Sequence, residues 1–188
     1  GYTIPAGNLF PGDATHRPEI YGMGFRNPFR INIDPLTGYA YVGDIGPDAS
    51  AASAEGPGGM DELHELRGAG NYGWPYIIGF NQPYAGFNPT NIVNNHPRNT
   101  GAKNLPAAIP ALWTIRHQAT MAGPVYRFNE AITNEFKLPE YYDGRLIFWD
   151  FNSSKFSTIN LAANANPPVA EDFPLNTANF QGAIDVEL

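Results

Sequence analysis

FRINIDPLTGYAYVGD, residues 29–44, decides the fold. Phe29, Ile31 and Ile33 alternate with Arg30, Asn32 and Asp34, the period of two expected of a strand that buries one face. Pro35-Leu36-Thr37-Gly38 then supplies a turn with Gly at its end, and Tyr39-Ala40-Tyr41-Val42 returns as a second strand. The phrase has a weak copy downstream. GYAYVGD from Gly38 to Asp44 and GRLIFWD from Gly144 to Asp150 each run from a Gly through an apolar strand to a terminal Asp, with an offset of 106 residues (38 to 144). Blades of about 40–50 residues would fit about two blades plus insertions into that offset. Patterning alone leaves a propeller and a sandwich open.

The flanking sequence repeats the theme of strand, turn, strand. PVYRF at 124–128 and the run 145–150 read as strands, and KFSTINL at 155–161 follows the Asn152-Ser153-Ser154 turn. Residues 61–67 are too short to assign to strand or helical turn. Residues 50–59 are small and flexible and read as a surface excursion, while 76–110 is rich in Asn, Pro and Gly, a loop long enough to imply function or insertion. The chain of 188 residues contains 20 Gly and 18 Pro, with 43% hydrophobic and 15% charged residues: a folded, turn-rich, helix-poor protein. A net charge of −7 with only 11 Lys and Arg excludes a nucleic-acid partner, since phosphate binding needs a basic surface. No apolar run approaches the roughly 18 residues of a membrane span. Zero Cys rules out disulfides and thiolate metal sites. The first residue is Gly1 and the last six, AIDVEL, read as a strand cut short, so a single domain truncated at both ends is expected over residues 1–188.

EIYGMGFRNPFRINID at 19–34, VGDIGPD at 42–48 and GNYGWP at 70–75, in that order, resemble the glucose/sorbosone dehydrogenase family of soluble quinoprotein sugar dehydrogenases. MAGPVY at 121–126 and LPEYYDG at 138–144 resemble a bacterial subgroup of it. The resemblance implies an all-β fold, a six-bladed β-propeller of which about three blades are present, with long loops. It implies a periplasmic or extracellular protein oxidising sugar hydroxyls with pyrroloquinoline quinone (PQQ) and calcium. The rest of the propeller chain is an expected partner, because an open part of a ring leaves sheet faces uncovered.

On the resemblance, Arg26 and Asn27 match the turn that contacts the quinone, where a guanidinium stabilises charge arriving with hydride. Gly46 and Pro47 match the turn whose carbonyls bind the calcium that bridges cofactor and protein; a hard cation favours such oxygens. Asp44 and Asp48 flank that turn. Glu62 and the carbonyl of Tyr72 match a second, structural calcium site, with Gln82 roughly where a further carboxylate belongs.

Two departures weaken the enzyme reading. The family's general base is a His well upstream of the Arg-Asn turn, and His16, ten residues before Arg26, does not match it. The arginines that pair with the cofactor carboxylates are replaced by Asn179-Phe180-Gln181-Gly182-Ala183, without a base. A non-catalytic propeller binding carbohydrate, calcium or protein is therefore the alternative, and a lactonase-like calcium hydrolase is a third class. His16, His64, His96 and His117 lack a ligand spacing such as HExxH and read as scattered structural histidines. Gly56-Pro57-Gly58-Gly59 lacks the Lys-Ser/Thr of a phosphate loop, and Asn152-Ser153-Ser154 fits a glycosylation sequon that turn residues also produce by chance. Trp74, Tyr76, Phe80, Tyr84 and Phe87 are either sugar platforms or blade packing.

Overall fold

The structure, a computed structural model, describes residues 1–116, 119–135, 137–163, 166–174 and 182–186. Among them eight strands have three residues or more: β1 Pro28–Ile33, β2 Ala40–Asp44, β3 Asp61–Leu66, β4 Trp113–Ile115, β5 Thr120–Val125, β6 Arg145–Asp150, β7 Phe156–Asn160 and β8 Ala170–Asp172. They form two antiparallel four-stranded sheets, ordered β1-β2-β3-β4 and β5-β6-β7-β8. The only described helical turn is Glu140–Tyr142. The chain is thus all-β, and its two sheets are not closed into a ring, as expected of part of a propeller.

The repeated phrase marks equivalent positions. GYAYVGD forms β2 and GRLIFWD forms β6, the second strand of each sheet. Gly38 and Gly144 enter these strands with φ of 73° and 70°, a region that suits glycine because an L side chain there crowds its own backbone. The terminal Asp serves the same purpose twice: Asp44 accepts backbone N–H bonds from residues 26 and 27, and Asp150 from residues 152 and 153.

The sheets pack face to face through Tyr41, Leu63, Ala122, Val125, Leu146, Phe148 and Ile159, with Trp113 at the margin. Each Val, Leu, Ile or Phe side chain among them contributes about 1.5–3 kcal/mol of transfer free energy on burial. Backbones touch at Gly43, where a Cβ would lie 2.4 Å from the Thr120 carbonyl oxygen, so β2 and β5 approach as closely as glycine permits. Across the same interface the buried Asp34 carboxylate, just past β1, accepts bonds from Arg127 Nη2 at 2.5 Å and Nε at 3.2 Å. Burial opposes ionisation of Asp34, yet bonds from Arg127, Thr37 and the Leu36 N–H outweigh it and hold its pKa down at about 2.

Three details differ from the sequence reading. Residues 61–66, undecided there, form β3, completing a ladder in which Asp44 faces Glu62 and Val42 faces His64. The strand expected at 124–128 lies instead at Thr120–Val125, with a register shift between Ala122 and Val125. The alternation of β1 is real, but its apolar face is not buried: Phe29, Ile31 and Ile33 are 55%, 55% and 63% exposed. Register explains this. Asn32 pairs with Tyr41, whose ring lies in the inter-sheet core, so Asn32 and Arg30 point toward the second sheet and Ile31 points away. Arg30 forms an ion pair with Asp185.

The insertion between β3 and β4 carries its own short hairpins, Ile77–Ile78 with Gln82–Pro83 and Ile92–Val93 with Asn104–Leu105. Ile77, Ile92 and Ala108 form its core, flanked by Tyr76 and Phe87. Those two aromatics therefore pack within the insertion. No helix among the described residues is long and apolar enough to cross a membrane.

Candidate functional site

Two sequence motifs 48 residues apart (22 to 70) become neighbours through a short parallel pairing. Gly22–Met23 aligns with Gly70–Asn71, and the ladder continues as Tyr72 N–H donates to the Met23 carbonyl at 2.7 Å and Trp74 N–H to the Gly24 carbonyl at 2.9 Å. Gly24, at φ 80°, leaves no room for a side chain, since a Cβ would stand 2.3 Å from Asn71 Oδ1. GMGFRNP and GNYGWP thus share one edge, and Arg26 and Asn27 emerge beside Trp74.

Asp44 fixes the Arg26-Asn27 turn. Its carboxylate accepts the Arg26 N–H at 3.0 Å and the Asn27 N–H at 2.6 Å. This leaves the two side chains exposed. The Arg26 guanidinium donates from Nη1 to the Ile45 carbonyl at 3.1 Å and lies 5.9 Å from the Trp74 ring centroid. Trp74 meets Tyr84 edge to face at 6.1 Å. Tyr84 in turn sits on Gly56, so the Ser50–Gly59 excursion closes over this aromatic pair.

The Gly46-Pro47 turn follows directly. Ile45 N–H donates to the Asn27 carbonyl at 3.0 Å, and Gly46 N–H to Asp61 Oδ1 at 2.8 Å. Gly46 is sterically required, because a Cβ would fall 1.8 Å from the Met60 carbonyl oxygen. Among the described residues no hydrogen-bond donor reaches the carbonyl oxygen of Gly46, Pro47 or Tyr72. Carbonyls and neighbouring carboxylates are the donor chemistry that a hard divalent cation takes, with the Pro47 carbonyl oxygen packed against Gly59. The exposed Arg26 guanidinium beside the Trp74 ring, with exposed Asn27 next to it in the chain, is charge and flat surface of the kind an anionic planar group takes. The stretch 179–183, read as lacking the carboxylate clamp, lies outside the described residues except for Gly182 and Ala183, and His117 also lies outside them.

Glu62 and Tyr72 lie behind this turn on the face of the first sheet that points away from the second. Glu62 Oε1 accepts the Gly79 N–H at 2.6 Å. The Tyr72 ring stacks on Phe25 at 4.8 Å and meets His64 edge-on at 5.0 Å. His64, read from sequence as one of several scattered histidines, is wholly buried among Phe25, Tyr72 and Glu62, and neither ring nitrogen has a hydrogen-bond partner. Burial pushes its pKa down to about 3, so the ring is neutral. Glu62 is pushed up to about 8, by burial first, against the Gly79 N–H and with help from Asp44 and Asp61. Asp44 is raised as well, by burial, against the Arg26 and Asn27 N–H bonds. An unpartnered buried polar group costs about 1–3 kcal/mol. The signal that would have found His64 is its place two residues from Glu62 in a strand, which puts both on one face.

The chain is 32% identical to the HIPL2 protein of Arabidopsis thaliana over 89 residues, 44% of this chain and 11% of that one. It is 30% identical to an uncharacterized protein of Synechocystis over 95 residues, 50% of this chain and 20% of that one. The HIPL1 protein of Arabidopsis thaliana aligns with the whole chain at 23% identity, over 26% of its own length. The chain therefore spans about a quarter or less of these curated relatives. Among solved structures, a glucose dehydrogenase superposes with a TM-score of 0.58 at 21% identity, covering 93% of this chain and 43% of that one. The soluble aldose sugar dehydrogenase of Escherichia coli, in its apo-form, gives 0.53 at 19% identity, covering 90% and 40%. The profile of the glucose/sorbosone dehydrogenase family matches residues 2–105, more than half of the sequence. The chain belongs to the glucose/sorbosone dehydrogenase family.

Proposed function

We propose that this chain forms one wall of a sugar-oxidising site that takes PQQ and calcium, in a protein acting outside the cytoplasm on a carbohydrate. The observation that carries the reading is the joint geometry of two turns. Asp44 locks the Arg26-Asn27 turn, and two residues after Asp44 the Gly46-Pro47 turn begins, with no hydrogen-bond donor on its carbonyls among the described residues. When bound, the quinone would supply hydride acceptance and calcium would polarise it. The chain's own residues supply charge and orientation. Arg26 places a permanent positive charge beside the site, Asn27 an amide, and Trp74 a flat apolar wall. The Gly46 and Pro47 carbonyls would hold the cation, and Glu62 with the Tyr72 carbonyl would belong to a second calcium site. The proton acceptor and the clamp for the cofactor carboxylates come from elsewhere in the ring.

The test is dye reduction by the full-length protein with PQQ and calcium over a panel of aldoses. Cofactor-dependent turnover is expected, reduced on the order of 100-fold in Arg26→Ala, the usual effect of removing a group that stabilises developing charge. Calcium binding without quinone-dependent turnover on any aldose would overturn the reading. That outcome would favour the non-catalytic binding propeller, which the absence of a basic residue from 179–183 already supports. Quinone-independent lactone hydrolysis would point instead to the hydrolase class.

A further inference from the structure

Asp44, Glu62 and His64 converge without any of them having been chosen as a set from sequence. All three are buried, and one ligand atom from each lies within 4.8 Å of the others. Backbone register enforces the grouping. Glu62 and His64 are two apart on β3 and share a face, and Asp44 on β2 is the direct cross-strand partner of Glu62. His64 Nε2 is 3.9 Å from Glu62 Oε1, too far for a hydrogen bond and close to the spacing of two ligands on one small cation. Among the described residues no Lys or Arg forms a salt bridge with Asp44 or Glu62. Glu62 thus has no cationic partner, Asp44 has only the charge of Arg26 acting on it without an ion pair, and the imidazole beside them has no hydrogen bond of its own.

We propose that Asp44, Glu62 and His64 form a binding site for a borderline divalent first-row cation, of the zinc, cobalt or manganese kind, distinct from the cation held by the Gly46-Pro47 carbonyls. The choice of ion follows from the donors. Calcium and magnesium take oxygen ligands almost exclusively, whereas an imidazole with two carboxylates suits a smaller, softer ion. Neither nitrogen of the buried ring has a hydrogen-bond partner, so a lone pair is open to a ligand bond. Bringing separations of 3.9 Å for Glu62 and His64, and of up to 4.8 Å across the set, to the roughly 3.3 Å between ligands on a tetrahedral ion asks for side-chain adjustments of up to about 1.5 Å. The ion has a structural effect within reach: Asp44 also holds the Arg26 and Asn27 N–H groups, so a metal on its free lone pairs would brace the exposed turn against β2 and β3. Glu62 cannot serve this ion and a calcium equally well, so the two assignments compete.

The full-length protein, stripped with a chelator, is dialysed in separate samples against Zn²⁺, Co²⁺, Mn²⁺ and Ca²⁺, and bound metal is measured by elemental analysis. One Zn²⁺ or Co²⁺ per chain is expected, retained against about a hundredfold excess of Ca²⁺. His64→Gln should weaken it by at least about tenfold, while His96→Gln on the exposed insertion should not. In the wild type, ring-nitrogen NMR should show one buried histidine shifted by Zn²⁺. This arm stands even if His64→Gln does not fold. Failure to retain a first-row cation, displacement by Ca²⁺ at equal concentration, undiminished binding in His64→Gln, or no shifted buried ring would each overturn the proposal. Because the readout is metal content and not dye reduction, neither result decides the sugar-oxidation reading, but a retained first-row cation would remove Glu62 from the second calcium site proposed above.

Discussion

At the scale of single residues, the site is governed by steric and hydrogen-bond requirements that are visible only once the neighbours are known. Gly46 is the sharpest case. Any side chain there would meet the Met60 carbonyl oxygen at 1.8 Å, and that carbonyl is backbone and has no flexible end to move aside. Gly46→Ala is therefore expected to cost about 1–3 kcal/mol, the usual range for overpacking. A lower urea midpoint with an unchanged slope would register the loss, and under the proposed calcium site calcium affinity should fall with it because the Pro47 carbonyl would be displaced. Wild-type stability and calcium binding in Gly46→Ala would show that the turn is looser than its geometry implies. Sequence gave reason to single out Arg26, Asn27, Gly46 and Pro47, because each belongs to a short ordered motif. It gave no reason to single out His64, since one histidine inside DELHEL has no ligand spacing of its own. Its partner Asp44 comes from another strand.

At the scale of elements, the two sheets are joined by a contact that no local pattern announces. Asp34 ends β1 and Arg127 follows β5, 93 residues later, and both side chains meet in a two-pronged pair. The folded pKa of Asp34 is about 2, below the roughly 3.9 of an unfolded Asp. The sign follows directly: the pair's stabilisation is fully present above about pH 4 and is lost as pH falls through about 2. It contributes about 2 kcal/mol at neutral pH. Denaturation midpoints measured between pH 5 and pH 2 should fall steeply in the wild type and less so in Asp34→Asn, which begins lower. Parallel curves for the two proteins would show that other carboxylates set the acid response. The strand periods themselves were readable: β1, β2, β6 and β7 lie within a residue or two of where alternation and turns place them. β5 was misplaced because its register shift between Ala122 and Val125 breaks the alternation that a sequence reading follows.

At the scale of the whole molecule, the first sheet has one face on the second sheet and a stripe of Phe29, Ile31 and Ile33 turned outward. In a propeller such a face packs against the next blade, so this stripe is where the rest of the ring is expected to dock. The 188-residue chain produced alone should bind a hydrophobic dye and self-associate with increasing concentration, and Ile31→Glu should reduce both. Sedimentation velocity reads the association; a monomer with no dye binding at high concentration would argue that the stripe needs no cover. What the sequence by itself determined is local: the hairpins and the repeated Gly-strand-Asp phrase. Those follow from short-range sterics and side-chain period, which neighbouring residues encode. Only the tertiary structure decided which face of β1 is inside, that Asp34 reaches Arg127, that Gly43 must be bare, and that Asp44, Glu62 and His64 meet. Each of these depends on strand register and sheet packing, and register is set by partners far away in the chain.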